Sequence, residues 1–151
     1  MTPRNPNFRT DIERSFARQG LMQTLGASLL LVEPGHVTIE MPFADALTQQ
    51  NGFAHAGALA AIADNACGYA ALSLAPADHD VLAVEFKINL LAPGRGESFQ
   101  AAAHIVRAGR TLTVIQADVF AIASGGRVAV ATLLETAIVR PMRSNRAQLI
   151  W

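Results

Sequence analysis

Two short runs early in the chain, one mainly apolar and one that alternates apolar and polar residues, predict a β-hairpin. Residues 28–32 are mainly apolar, and residues 37–43 place an apolar side chain at every second position. A period of two is typical of a strand with one buried face, and Pro34-Gly35 between the runs has the composition of a turn. Pro42 has no backbone N–H to donate, so we expect it near a strand end or at a sheet edge.

A long helix is predicted over residues 57–75, where alanine dominates and Pro76 provides a stop signal. The run is apolar on almost every side, which is typical of a helix buried in the core rather than one on the surface. A shorter amphipathic helix is predicted over residues 11–25, with Gly20 as its weak point.

Four strands are predicted after the long helix, at residues 84–90, 97–107, 110–122 and 127–139. Glycine-containing turns separate them, and the last strands are long, which favours an antiparallel meander. A buried helix needs cover on most sides, and a strongly curved sheet supplies it. The predicted fold class is therefore α+β, with a curved antiparallel β-sheet wrapped around one long central helix. We expect one domain over residues 1–151, with 1–10 and 142–151 as loose tails.

Composition narrows the class of protein further. Hydrophobic residues make up 51% of the 151 residues and charged residues 16%, which provides enough apolar material for a core. The formal net charge is zero, so a nucleic acid partner is not expected, because phosphate binding needs a basic surface. The chain shows neither a signal peptide nor a membrane-length apolar run, and its single cysteine cannot form an internal disulfide. We expect a cytoplasmic protein with no membrane partner.

Asp64 is the first candidate for chemistry. It is the only charged residue between Asp45 and Asp78, and it lies in the middle of the alanine-rich helix. A buried carboxylate without partners is costly, so its presence there needs a reason. Such a carboxylate can activate water as a general base or attack a carbonyl directly. The structural alternative is an exposed aspartate on a helix surface.

The segment before the long helix is the second candidate feature. Asn51 has the composition of a turn residue beside Gly52, and it could also donate to a carbonyl or hold a water. If Gly57 begins the helix, its backbone N–H is unpaired and, together with the helix dipole, can stabilise an oxyanion. His55 either binds substrate or makes a local hydrogen bond, and its position favours the local bond.

The spacing of Gly57 and Asp64 has a consequence for assembly. They are seven residues apart, so they lie on the same side of the helix and about 10 Å apart along its axis. One carbonyl is not easily held by Gly57 and attacked by Asp64 of the same chain. If both act on one carbonyl, they come from different subunits, which predicts a homodimer with composite sites at its interface.

Other reactive side chains are expected to have plainer roles. Cys67 lies in the apolar helix and is predicted to be a small core residue. His36, His79 and His104 show no metal-ligand spacing, and neither a metal nor a cofactor is expected.

Three arginines lie in or beside turns, namely Arg95, Arg107 and Arg110. Arginines in turns are commonly solvated charges. They are also suited to phosphate groups, because a guanidinium matches phosphate geometry. The sequence leaves both interpretations open.

These residues together resemble a known motif. Asn51-Gly52-x-x-His55-Ala56-Gly57, followed after six residues by Asp64-Asn65-Ala66, is similar to the motif of hotdog-fold thioesterases, in particular the PaaI-like branch of phenylacetate pathways. The strand that ends at Ala92-Pro93-Gly94 and the basic hairpin at residues 107–111 also resemble the family. The similarity extends from about residue 25 to residue 139.

The resemblance implies hydrolysis of an acyl-CoA to a free acid and CoA. It gives Asp64 the role of nucleophile or general base, Gly57 that of the oxyanion amide, and Asn51 that of positioning water or the carbonyl. His55 corresponds to the motif histidine. The family also implies homodimers that commonly pair again into tetramers, in agreement with the spacing of Gly57 and Asp64.

Two positions depart from the family pattern. Ala56 replaces the first glycine of a pair, and Ala83 stands where some members carry a hydroxyl residue on the strand that faces the aspartate. The second departure affects how a water would be positioned and leaves the aspartate in place.

Two other functions remain open at this point. A hotdog dehydratase or hydratase of 3-hydroxyacyl thioesters would pair His55 with Asp64 as acid and base, but the proline-rich loop typical of that class is absent. An acyl-CoA-binding regulatory module would not be an enzyme. Regulators of this kind usually carry a DNA-binding segment, and only about 25 residues precede the first predicted strand.

Overall fold

The structure is a computed structural model that describes residues 1–142. It contains three α-helices, a short 3₁₀ turn and six β-strands. The helices are α1 (Phe8–Phe16), α2 (Gly20–Thr24) and α3 (Ala56–Leu72), and the 3₁₀ turn covers Asp45–Leu47. The strands are β1 (Ser28–Glu33), β2 (His36–Pro42), β3 (His79–Leu90), β4 (Ser98–Ala108), β5 (Leu112–Ala123) and β6 (Gly126–Pro141).

The six strands form one antiparallel sheet in the order β1-β2-β4-β5-β6-β3. The predicted hairpin is confirmed as β1 and β2, and Pro42 is the last residue of β2. The predicted meander is confirmed only for β4, β5 and β6. β3 does not pair with β4, which follows it in the chain, but lies beside β6 at the edge of the sheet.

Helix α3 packs against β2, β3, β4, β5 and β6, so the sheet covers most of its circumference. Small side chains allow this close approach: Ala63, Ala66 and Ala70 of α3 are fully buried, as are alanines on β4 and β5. Larger side chains of the core are fully buried as well, including Phe99, Ile62 and Met41. The predicted α+β class, with a curved sheet around one central helix, is confirmed.

The C-terminal end of α3 is fixed to the first hairpin. The buried Ser73 Oγ accepts a hydrogen bond from the Gly35 backbone N–H at 2.7 Å and donates to the Ala70 carbonyl at 2.7 Å. Gly35 has φ +81°, a left-handed conformation that favours glycine in this turn. The helix that carries Asp64 is therefore held at its end by a buried polar contact.

Two predictions about the N-terminal region are wrong in detail. The helix expected over residues 11–25 is interrupted between Phe16 and Gly20 and forms α1 and α2. Residues 8–10, expected in a loose tail, belong to α1, because Phe8 and Ile12 pack against the core. The C-terminal tail expected from residue 142 onward lies, beyond Met142, outside the described residues.

No helix among residues 1–142 combines the length and the apolar composition needed to span a bilayer.

Candidate functional site

Asp64 lies at a cavity of about 180 Å³ between α3, the sheet and the segment that joins α1 to α2. The aspartate is half-buried, so the alternative of a fully exposed helical carboxylate does not hold. The cavity lining comprises Ser15, Gln19, Asp64, Asn65, Gly68, Tyr69, Leu72, Asp80, Val81, Ala83 and Glu135. Among these residues there is no lysine, arginine or histidine, so the cavity is acidic.

Glu135 is a second carboxyl group of this cavity, and it was not among the site residues predicted from the sequence. It lies on β6 with an exposed fraction of 1%, and within the described part of the chain no N–H or O–H group donates a hydrogen bond to either of its carboxyl oxygens when both acids are ionised. Two ionised carboxylates can only accept hydrogen bonds, so Glu135 and Asp64 can bond to each other only when one of them carries a proton.

The pKa values of the two acids are raised by the same surroundings. Burial raises the pKa of Asp64 above its ordinary value of 3.8, and the hydrogen bond with Glu135 lowers it in part. The pKa of Glu135 rises from 4.5 to about 9 through burial first, then the charge of Asp64, the hydrogen bond with Asp64 and the charge of Glu85. Of the two acids, Glu135 is therefore the one whose surroundings more strongly favour the neutral, protonated form.

A network of uncharged polar side chains lines one side of the cavity. Gln19 and Asn65 exchange two hydrogen bonds of 3.1 and 2.8 Å. Gln19 also donates to the Tyr69 hydroxyl at 2.7 Å, and that hydroxyl donates to Ser15 at 3.1 Å. Asn65 and Tyr69 are on α3, so this network attaches the α1–α2 segment beside Asp64. The break in the predicted N-terminal helix places Gln19 where it can make these contacts.

The N-terminus of α3 differs from the prediction. The helix begins at Ala56, and His55 is its N-cap. The Gly57 amide was expected to be unpaired, but it donates to His55 Nδ1 at 2.9 Å. That expectation is wrong for this structure, because the histidine side chain occupies the position of an acceptor. The local hydrogen bond favoured for His55 is present.

Gly57 allows the histidine ring to approach closely. A Cβ atom at position 57 would lie 3.0 Å from His55 Nδ1 and 3.4 Å from Cε1, so a side chain there would displace the ring. Gly57 and His55 line a separate cavity of about 280 Å³ with apolar walls that include Leu21, Leu25 and Ala61. Within one chain, Gly57 and Asp64 therefore belong to two different cavities.

Asn51 lies in an exposed turn and lines neither of these two cavities. Its backbone N–H donates to the Gln49 side chain. The chain alone thus does not bring Asn51 to Asp64.

The three candidate arginines do not form one basic patch. The Arg95 guanidinium stacks over the Phe53 ring at 4.4 Å, next to the beginning of α3. Arg110 lines a small cavity with Ala71 and Ala75 at the other end of α3. Arg107 is exposed on β4, beside a register shift.

Two other predicted positions agree with the structure. Ala83 lines the Asp64 cavity from β3, as expected for the position that carries a hydroxyl in some relatives, and it offers no polar group. Cys67 is fully buried in the core. Burial and the charges of Glu135 and Asp64 raise the pKa of the Cys67 thiol, so it is neutral and unsuited to be a nucleophile.

Comparison with known proteins identifies the family. The thioesterase superfamily model matches residues 51–128, more than half of the chain and a segment that includes Asn51, His55, Gly57 and Asp64. The crystal structure of a thioesterase family protein from Silicibacter pomeroyi is 46% identical and superposes with a TM-score of 0.87, over 89% of this chain and 98% of the other.

More distant structures share the fold. The E. coli PaaI protein from the phenylacetic acid degradation operon is 17% identical, with a TM-score of 0.81 over 92% of this chain and 97% of its own. A thioesterase from Haemophilus influenzae is 18% identical, with a TM-score of 0.83 over 98% of this chain and 100% of its own. These similarities confirm the hotdog fold implied by the motif. The chain therefore belongs to the thioesterase superfamily and is a thioester hydrolase with the hotdog fold.

Proposed function

We propose that the protein hydrolyses acyl-CoA to a free acid and CoA, with Asp64 as the catalytic carboxylate. The observation that carries this proposal is the position of Asp64: it is half-buried in a cavity beside a fully buried second acid, and it has a raised pKa. Carboxylates with perturbed pKa values in cavities are frequent at catalytic sites. In a protein of this superfamily, a thioester carbonyl is the group that such a carboxylate would act upon.

Two chemical routes are available to Asp64. As a general base, it takes a proton from water, the resulting hydroxide attacks the thioester carbonyl, and the CoA thiolate leaves. As a nucleophile, it attacks the carbonyl itself, releases the thiolate and forms a mixed anhydride that water then hydrolyses. In a single turnover in ¹⁸O-labelled water, label on Asp64 identifies the nucleophilic route, because only attack of water on the Asp64 carbonyl of the anhydride leaves the label on the enzyme.

The proposed site combines two subunits. Gly57 and Asp64 line different cavities of one chain, and an oxyanion donor must lie next to the carbon that is attacked. The Gly57 amide of one protomer and Asp64 of its partner would satisfy this requirement in a homodimer. For this role the His55 ring has to leave the Gly57 amide when the substrate carbonyl arrives. Asn51 would likewise reach the carbonyl or the water only across the interface.

The β3 edge of the sheet supports pairing with a second copy. β3 is 12 residues long and has no neighbour on its outer side among the described strands, so its backbone donors and acceptors are available. Phe86 and Leu90 pair with Glu135 and Ala131, which places them on the helix-bearing face, and they are 44% and 56% exposed. An apolar strip beside an open edge is suited to a second copy of the same strand. A further pairing of dimers into a tetramer is part of the proposal.

CoA requires phosphate contacts, for which Arg95, Arg107 and Arg110 are the candidates. Arg95 lies at the same end of α3 as Gly57, where its guanidinium is held over Phe53. That end of the helix also presents the apolar cavity, which suits the acyl group or the pantetheine arm.

A spectrophotometric assay of CoA release tests the proposal. Purified protein is incubated with a panel of aromatic and aliphatic acyl-CoAs and a thiol reagent. We expect Asp64→Asn to lower kcat by about 100-fold or more while the oligomer stays folded. Asp118→Asn is the matched control, since Asp118 is a half-buried acid on β5 that lines neither cavity, and it should keep activity. Full activity of Asp64→Asn would refute the assigned role.

A further inference from the structure

Glu135 is a buried acid for which neither the predicted motif nor the matched family segment, residues 51–128, provides a role. It occupies an inward position of β6 between Leu133 and Ala137, both of which are buried. Its two carboxyl oxygens find no donor among residues 1–142. A structural residue at this position would be expected to be apolar, as its neighbours on the same face are.

The groups around Glu135 cannot neutralise a negative charge. Asp64 and Cys67 face it from α3, and Asp80 and Glu85 are the acids of the adjacent β3. Tyr69, also from α3, is already engaged with Gln19 and Ser15. On β5, the residue that pairs with Glu135 is the apolar Ile115. Within the described chain, Glu135 therefore meets other acids and apolar groups but no cation.

We propose that Glu135 is a positioning residue of the thioesterase: as a neutral carboxylic acid, it donates its proton in a hydrogen bond to Asp64 and fixes that carboxylate in the cavity. This inference rests on the proposed catalytic role of Asp64. The two acids then carry one negative charge between them. One Asp64 oxygen accepts from Glu135, and the other stays available for water or the thioester.

The shared proton has two consequences for the reaction. The hydrogen bond from Glu135 opposes the effect of burial and keeps Asp64 ionised at a lower pH than burial alone would allow. Glu135 keeps its proton while Asp64 accepts one from water, so the pair holds two protons after general-base attack and returns one to the solvent. When Glu135 ionises, near pH 9, the donor is lost and two negative charges face each other.

Two variants separate positioning from a structural role. Glu135→Gln keeps a donor of similar shape, so we expect kcat within about threefold of wild type at pH 7. The decrease in activity that we expect for wild type near pH 9 should be absent in this variant. Glu135→Leu has no donor, so kcat should fall between about 10- and 100-fold, the range that one charge-assisted hydrogen bond supports, with KM unchanged. Because leucine suits a buried position, this slower variant should be at least as thermally stable as wild type. Asp118→Asn on β5 serves as a control for the substitution of a half-buried acid.

A ¹³C NMR titration, which does not depend on an activity assay, tests directly whether Glu135 is protonated. With ¹³C-labelled glutamate, one carboxyl resonance should titrate near pH 9, disappear in Glu135→Gln and shift to lower pH in Asp64→Asn. The proposal is overturned if no glutamate titrates above neutrality, or if Glu135→Leu keeps both full kcat and the alkaline limb. Full activity of Asp64→Asn would refute the proposed function instead, and the titration would still decide whether the two acids share a proton.

Discussion

His55 Nδ1 accepts a hydrogen bond from the Gly57 amide at 2.9 Å, so the N-terminus of α3 is capped by its own histidine. The amide that the motif assigns to the oxyanion is thus hydrogen-bonded to a side chain of its own chain. This contact needs glycine at position 57, because a Cβ there would lie 3.0 Å from the ring nitrogen.

The hydrogen bond between His55 and the Gly57 amide predicts the effect of substitutions at His55 on stability. His55→Ala removes the acceptor of the Gly57 amide and should cost about 1 kcal/mol of stability, which corresponds to a fall in Tm of about 2–4 °C. His55→Asn should restore most of this loss, since asparagine is a good N-cap. Thermal unfolding at fixed protein concentration measures both variants. If kcat instead falls about 100-fold in both variants while Tm is unchanged, His55 takes part in the reaction rather than in capping.

The raised pKa of Glu135 predicts a pH-dependent stability. Below pH 4.5 Glu135 is protonated in both the folded and the unfolded state. Between about pH 4.5 and 9 the unfolded state has lost this proton and the folded state keeps it, so the free energy of unfolding decreases as pH rises. The slope is at most about 1.4 kcal/mol per pH unit.

Glu135→Gln lacks this titration. The difference in Tm between Glu135→Gln and wild type should therefore increase steadily in favour of the variant from pH 5 to pH 8.5. The difference in Tm between the control Asp118→Asn and wild type should stay constant. Parallel stability curves for Glu135→Gln and wild type would show that Glu135 is ionised in the folded protein at neutral pH.

The open β3 edge predicts how the proposed dimer can be broken. Phe86→Asp places a charge in the apolar strip of that edge, so size-exclusion chromatography with light scattering should show monomers and the assay should show loss of activity. Leu30→Asp is the control: Leu30 is 56% exposed on β1, at the opposite edge of the sheet. It should leave the dimer intact. Active monomers of Phe86→Asp would exclude a site built from two subunits.

Much of the fold follows from local patterns in the sequence. A short apolar run identified β1, alternating positions identified β2, and the alanine-rich run before Pro76 identified α3 within a few residues. The position of β3 beside β6 did not follow, because that pairing depends on contacts between distant segments rather than on the turn that joins β3 to β4. Gly20 marked a weakness in the N-terminal helix, and the helix is interrupted just before it.

The site was predicted in part. Asp64 could be found because a single charge in an apolar helix is conspicuous. Glu135 was not predicted, although strand alternation indicates its orientation. Ala131, Leu133 and Ala137 are inward residues of β6, and the two-residue period of a strand places Glu135 on the same inward face. A local hydrogen bond of His55 was predicted, but its partner, the Gly57 amide, depends on a side-chain rotamer. The Gln19 contacts depend on where the helix breaks and could not be predicted from residue types alone.

A mixed dimer tests the central claim most directly. One protomer carries Asp64→Asn and the other Gly57→Pro, which removes the amide hydrogen at a position in the first helical turn where proline is tolerated. The two chains are co-expressed with different affinity tags and purified in tandem, and each parent homodimer is checked for folding and inactivity. If one site uses Gly57 of one protomer and Asp64 of its partner, the mixed dimer has one intact site and should show about half of the wild-type activity. A mixed dimer as inactive as its parents would contradict the two-subunit site.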